Sequence, residues 1–302
     1  MDMDGDWRLP RPNTLFRKHR RLTEPAAPEP SIASTFSSLA APVVAEAVQK
    51  AKELSATGDA EGFHQLRVAF RKLRALYWAY APCLGEAVVN EATEEFKRLA
   101  DAAGATRDWD IVAGLLDVAQ RSNLSISLLV TSVHARRAEA LQQSQAQLHS
   151  DQVESFLIGA LNRAQRALES QNDDLTMRIF AKGRVSVARR ALNKRSRRAS
   201  RRETVVEEEL HDVRKAGKKL RYLLEFFQPV LKANHRQSIR SLTAVQDKLG
   251  RFNDLAASEA LIRNTEFDDV PLIIVDESLQ WLDKQKCRQM RAAARQVKAF
   301  VT

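Results

Sequence analysis

The sequence predicts an all-α protein, on three observations. Ala, Leu, Arg, Glu, Lys and Gln dominate the composition, and these residues lose least on entering a helix. Apolar residues recur at helical spacing from about Ser34 onward. One basic helical segment occurs twice.

The elements follow in order. Residues 1–30 carry Pro10, Pro12, Pro25, Pro28 and Pro30 beside the cations Arg17, Lys18, Arg20 and Arg21. Such a stretch buries too little apolar surface to offset its ordering entropy, so a mobile arm is expected there. Residues 31–302 read as one helical domain, its halves at about 35–165 and 172–300. The pattern predicts helices over 35–54 and 60–81, the latter closed by Pro82 and Gly85. Further helices are expected over 86–103, 108–122, 125–149, 151–170 and 174–198. One over 204–228 opens with Thr204 and Glu207 at capping-box spacing and ends at Pro229. The last three cover 234–249, 253–264 and 272–300. The run from Val270 to Val275 looks β-like but contains Pro271 and has no partner, so no sheet is expected.

The repeat is specific. Phe63-His64-Gln65-Leu66-Arg67-Val68-Ala69-Phe70-Arg71-Lys72-Leu73-Arg74 aligns without a gap on Leu210-His211-Asp212-Val213-Arg214-Lys215-Ala216-Gly217-Lys218-Lys219-Leu220-Arg221. Tyr80 then falls on Phe227 and Pro82 on Pro229. Downstream, Arg107-Asp108-Trp109-Asp110 and Arg251-Phe252-Asn253-Asp254 stand at nearly the same separation. Each half reads as helix, basic helix, helix, then an Arg-x-x-Asp turn into another helix. Asp110 and Asp254 are expected in the first turns of their helices, where a carboxylate suits the positive dipole end. Partnership with Arg74 or Arg221 is the alternative.

At 100° per residue, His64, Arg67, Arg71 and Arg74 share one side, with Lys72 on the flank. Leu66, Phe70, Leu73, Leu76, Tyr77 and Tyr80 share the other. In the second copy His211, Arg214, Lys218, Lys219 and Arg221 oppose Val213, Leu220, Leu223, Leu224 and Phe227. Like charges one turn apart repel, and ordinary surface helices alternate signs to avoid this. Two such rows suggest an anion lying along them. Arginine forks bind phosphate oxygens bidentately, lysine adds a mobile point charge, and histidine donates and can charge beside phosphate. Lys182 to Arg202 carries ten cations and no acid, and Arg184, Arg195 and Arg198 from it join the expected ligand set.

The chain carries 48 Lys and Arg against 38 Asp and Glu, a net charge of +10, which favours polyanions as partners. Nucleic acid is the alternative polyanion. Its bases call for stacked aromatics or amides, but only Trp78 projects toward the basic side. No zinc-protease, Walker, Cys–His or nucleophile-elbow motif occurs, and no carboxylate cluster for metal-assisted phosphoryl chemistry stands in the expected groove. No catalytic residue, cofactor or metal is therefore expected. Cys83 and Cys287 read as buried or half-buried side chains. The acidic start Met1-Asp2-Met3-Asp4 and the absence of a long apolar run predict a cytoplasmic protein without a membrane span.

The duplicated His64–Arg74 and His211–Arg221 segments, with the two Arg-x-x-Asp stretches, resemble the signature of CHAD domains, the conserved histidine α-helical domains. The resemblance covers about residues 35–300. It implies two pseudo-symmetric four-helix bundles whose basic helices face a central channel. It implies inorganic polyphosphate as ligand and association with polyphosphate granules. Carried over by position, the contacts are His64, Arg67, Arg71, Lys72, Arg74, His211, Arg214, Lys218, Lys219 and Arg221. This chain departs in Gly217, which stands where the first copy has Phe70, and in Lys218, which replaces an arginine. The Glu-x-Glu-x-Lys strand of the triphosphate tunnel domain, fused to many relatives, is absent. A stand-alone, non-catalytic binding module is expected, with an enzyme of polyphosphate metabolism as the lesser alternative.

Overall fold

A computed structural model describes residues 30–57, 59–122, 124–170, 175–201, 206–231 and 234–301. The arm expected over residues 1–30 lies outside them, Pro30 excepted. The described residues form nine helices and no strand: α1 (Ile32–Thr57), α2 (Ala60–Leu84), α3 (Glu86–Arg121), α4 (Ser127–Gln147), α5 (Ser150–Glu169), α6 (Met177–Arg201), α7 (Glu207–Phe227), α8 (Arg236–Arg263) and α9 (Leu272–Val301). No helix among them is long and apolar enough to cross a membrane.

Local chemistry sets the ends of α2, the first basic helix. The Asp59 carboxylate accepts from the Gly62 N–H at 2.9 Å, satisfying one of the amides that a helix start leaves unpaired. Gly85 ends the helix at φ +80°, a backbone region that side chains with a Cβ disfavour. Gly62 also lets α1 approach, since a Cβ there would stand 2.8 Å from a methyl of Leu54. Thr204, expected to cap the second basic helix, lies outside the described residues, and α7 begins at Glu207.

Two expected breaks are absent. The helices expected over 86–103 and 108–122 are one, α3, and those over 234–249 and 253–264 are one, α8. Neither Arg-x-x-Asp stretch is a turn, so Asp110 and Asp254 sit in helix interiors, away from any dipole end. The reason lies in packing. Ala102, Ala103, Gly104 and Thr106 of α3 are buried, and no proline interrupts them. The Thr106 hydroxyl donates to Ser144 Oγ of α4, which donates in turn to the Ala102 carbonyl, both at 2.8 Å. Gly104 is a point of close packing.

The second half closes a ring in which α6 packs on α7, α7 on α8, α8 on α9 and α9 on α6. In the first half α2 packs on α1 and α3, while α4 covers α3 and α5 covers α1. The role that α4 and α5 share is filled in the second half by α9 alone. The halves join where α2 meets α7 and α3 meets α8.

Two apolar clusters fill the interior, and both cross that junction. The larger contains Phe36, Tyr77, Tyr80, Phe96, Phe180 and Phe227. Tyr80 stands 4.8 Å from Phe180 and 6.1 Å from Phe227, ring to ring. Tyr80 and Phe227, matched in the repeat, thus touch across the two halves. The smaller cluster gathers Trp109, Leu116, Leu129, Val133, Leu255, Ile262 and Leu282 from α3, α4, α8 and α9. At about 25 cal/mol per Å² of apolar area removed from water, such clusters supply the main drive for folding. Cys83 is buried and Cys287 half-buried, and neither forms a disulfide among the described residues.

Candidate functional site

Where α2 and α7 meet, their polar sides enclose a cavity of about 180 Å³ with α3 and α8. His64, Arg67 and Arg71 come from α2, and His211, Arg214 and Lys218 from α7. Arg107 and Asp108 of α3 and Asn253 and Asp254 of α8 complete its polar wall. Apolar packing on the far side of each basic helix sets this orientation. Leu66, Phe70, Leu73, Val213, Leu220 and Leu224 are buried, which turns the opposite faces, with His64, Arg67, Arg71, His211, Arg214 and Lys218, to the cavity.

Five cationic side chains therefore face two carboxylates. Arg67 Nη1 donates to Asp108 Oδ1 at 2.9 Å. The groove was expected to carry no carboxylate, and Asp108 and Asp254 correct that expectation. Asp108, not Asp110, is the aspartate that answers Asp254 across the cavity, because the unbroken α3 turns Asp110 away to pair with Arg137 of α4. The Nε atoms of Arg71, Arg107 and Arg214 are sealed from solvent and have no hydrogen-bond partner among the described residues.

The electrostatic strain is legible group by group. Burial, then the charges of Arg214, Arg71 and Arg67, pushes the Lys218 ammonium well below its ordinary value, with Asp254 opposing. Burial lowers the Arg214 guanidinium to about 10, again against Asp254. Arg71 is lowered chiefly by burial. Burial followed by Arg107 and Arg71 depresses the His64 imidazole. Burial and Lys215 depress His211, whose Nδ1 stands 2.9 Å from Asn253 Oδ1. Each shift disfavours positive charge, with burial as the first cause throughout and a neighbouring cation as the second for His64, His211 and Lys218.

Gly104 shapes this wall. A Cβ at that position would stand 3.1 Å from Arg67 Cζ, so the bare backbone leaves room for the guanidinium. Gly217 plays a lesser part, since a Cβ there would meet Gln246 and Leu192 only at ordinary contact distances.

The remaining expected contacts lie elsewhere. Lys72 stands 3.8 Å from Glu46 of α1. Arg74 and Arg221 are half-buried off the cavity wall, Arg221 at 3.4 Å from Glu225. Arg184 is buried with its guanidinium 4.2 Å from the Trp78 ring centre, and Nη2 donates to the Trp78 carbonyl at 2.9 Å. Lys219 Nζ lies 4.3 Å from the same ring. Trp78 was expected on the open basic side. It is buried and packed by two cations. Arg195 reaches the Ala191 carbonyl of its own helix, and Arg198 pairs with Glu209 at 2.8 Å. Arg107 and Asn253, which the sequence placed in a structural stretch, are cavity residues.

Three comparisons bear on this architecture. No match was found among curated proteins. The crystal structure of the CHAD domain from the plant Ricinus communis superposes with a TM-score of 0.73 at 20% identity, covering 90% of this chain and 93% of that one. At that identity the likeness shows a shared fold. The family model for the CHAD domain matches residues 41–263, an interval that contains both basic helices and all four cavity-forming elements. This chain belongs to the CHAD domain family.

Proposed function

We propose that the chain binds inorganic polyphosphate without turning it over, seating a run of phosphates among Arg67, Arg71, Arg107, Arg214 and Lys218. One observation carries this reading: two basic helices and α3 bring five cationic side chains, against two carboxylates, to the wall of a single cavity. Phosphate oxygens would supply the missing acceptors and the missing negative charge together. The cavity holds about six waters' worth of space, which suits a thread of small anions. A nucleic-acid duplex is far too wide to enter it. Asp108 is engaged by Arg67, and the rest of the charged wall is mainly cationic, which argues against a carboxylate-metal centre. Binding of this kind would draw the protein to polyphosphate granules in the cytoplasm.

The test is competition at fixed salt. Long-chain polyphosphate should displace duplex DNA at equal phosphate concentration, and its affinity should fall steeply with added salt. Equal affinity for both polymers refutes the reading. The Arg67→Ala, Arg71→Ala, Arg214→Ala, Lys218→Ala variant should keep its helicity and lose binding.

A further inference from the structure

A second space opens beside the cationic cavity, and its walls are unsuited to a bare phosphate thread. It is a groove of about 610 Å³ between α3, α8 and α9. Ile111, Leu115 and Val118 form one wall, with Val118 half exposed at 51%. Facing them, α9 presents Trp281, Gln285 and Gln289, four residues apart and so on one helical face. Arg107, Ile111 and Asp254 border both spaces, so the groove adjoins the cavity. Asp110 also lines the groove. Arg137 holds its Oδ1, while its Oδ2 has no hydrogen-bond partner and its side chain is only 9% exposed.

The geometry points to a ligand that is a phosphate chain at one end and an aromatic ring at the other: a nucleoside polyphosphate. The inference rests on the reading of the cavity as a phosphate site. The phosphates would lie against Arg107, Arg71 and Lys218, the base against Trp281, and the base edge against the amides of Gln285 and Gln289, which both donate and accept. An apolar wall wastes bare polyphosphate but suits the face of a base. The groove's volume lies within the range of small-molecule sites.

The experiment compares ATP with inorganic tripolyphosphate by calorimetry on the full chain, without magnesium. The wild type should bind ATP at least fivefold more tightly. Trp281→Ala should erase that difference and leave tripolyphosphate affinity unchanged. A Cβ at Gly114, on the groove wall, would meet nothing within 4 Å, so Gly114→Leu should fold and fill the groove with the same selective result. ATP binding no tighter than tripolyphosphate overturns the inference and leaves the cavity reading standing. Equal losses for both ligands in the two groove variants also overturn it. Binding of neither ligand overturns the inference, and long-chain polyphosphate titrated into the same sample then decides the cavity reading.

Discussion

Lys218→Met separates the cost of the cavity to the fold from its use. Methionine keeps most of the stem and removes the charge. The neighbouring Arg214 gives the scale, because its lowering to about 10 corresponds to about 3 kcal/mol against the charged form. Lys218 is buried in the same cavity, near the same Arg71 and Arg67, and is likewise pushed down. Losing the attraction of Asp254 offsets part of the relief, and the typical gain from replacing a buried charge by an apolar side chain is about 1–3 kcal/mol. For a chain of this size that is a rise in Tm of about 2–6 °C, read by differential scanning fluorimetry without ligand. The sign with pH follows from the same shift. A lysine lower in the folded than in the unfolded chain withholds stability at neutral pH and restores it as pH climbs toward 10.5. The wild type should therefore gain on the variant over that range. Polyphosphate affinity of the variant, by calorimetry at fixed salt, should drop by about tenfold, the worth of one charged hydrogen bond. A lower Tm, or an unchanged affinity, refutes the reasoning.

Other expectations concern individual parts of the site. Gly104→Ala should push the Arg67 guanidinium aside and weaken polyphosphate binding severalfold, while Gly250→Ala, whose Cβ meets nothing, should leave binding intact and stabilise by about 1 kcal/mol. Equal affinities in calorimetry would count against the role given to Gly104. His64 and His211 are both depressed, and a bound polyanion must raise them. Affinity should thus rise as pH falls through the bound-state values, with proton uptake visible as a buffer-dependent binding enthalpy. The double His64→Gln, His211→Gln variant should lose that dependence. The free protein should lose stability as pH falls below 6.5, since the unfolded chain takes up the histidine protons first. Arg184→Ala should cost about 2–4 kcal/mol in denaturant titrations, because it empties a buried stack and hydrogen bond. Its polyphosphate affinity should match the wild type, and a matching loss of binding would return Arg184 to the ligand set.

The basic faces of the two helices were legible in the sequence because helical period and duplication act together, and the resemblance to CHAD domains implied that they meet. The period separates Leu66, Phe70 and Leu73 from Arg67 and Arg71, and the second copy repeats the separation. Hence six expected residues share one cavity: His64, Arg67, Arg71, His211, Arg214 and Lys218. The flanks were harder, because charge pattern does not record which neighbour covers a helix edge. Lys72 and Lys219 stand side by side with the cavity cations in sequence, yet α1 offers Glu46 to one and α2 offers Trp78 to the other. Arg184 looks like a surface cation in a basic run, but its neighbours Ala181, Val185 and Ala188 are buried and carry it inward. The Asp108–Asp254 correspondence was hidden by reading the Arg-x-x-Asp stretch as a turn between two helices. A glycine in sequence marks either a break or a close approach, and only the residue opposite decides which.

The unbroken course of α3 and α8 bears on how the ligand is received. Each helix runs from the larger apolar cluster, past the cavity, into the smaller one. Both are held at either end like beams, and they form a fixed wall beside the guanidinium and ammonium groups of α2 and α7. An arriving anion then meets a receptor already tensioned for it, and little rearrangement is left to oppose capture.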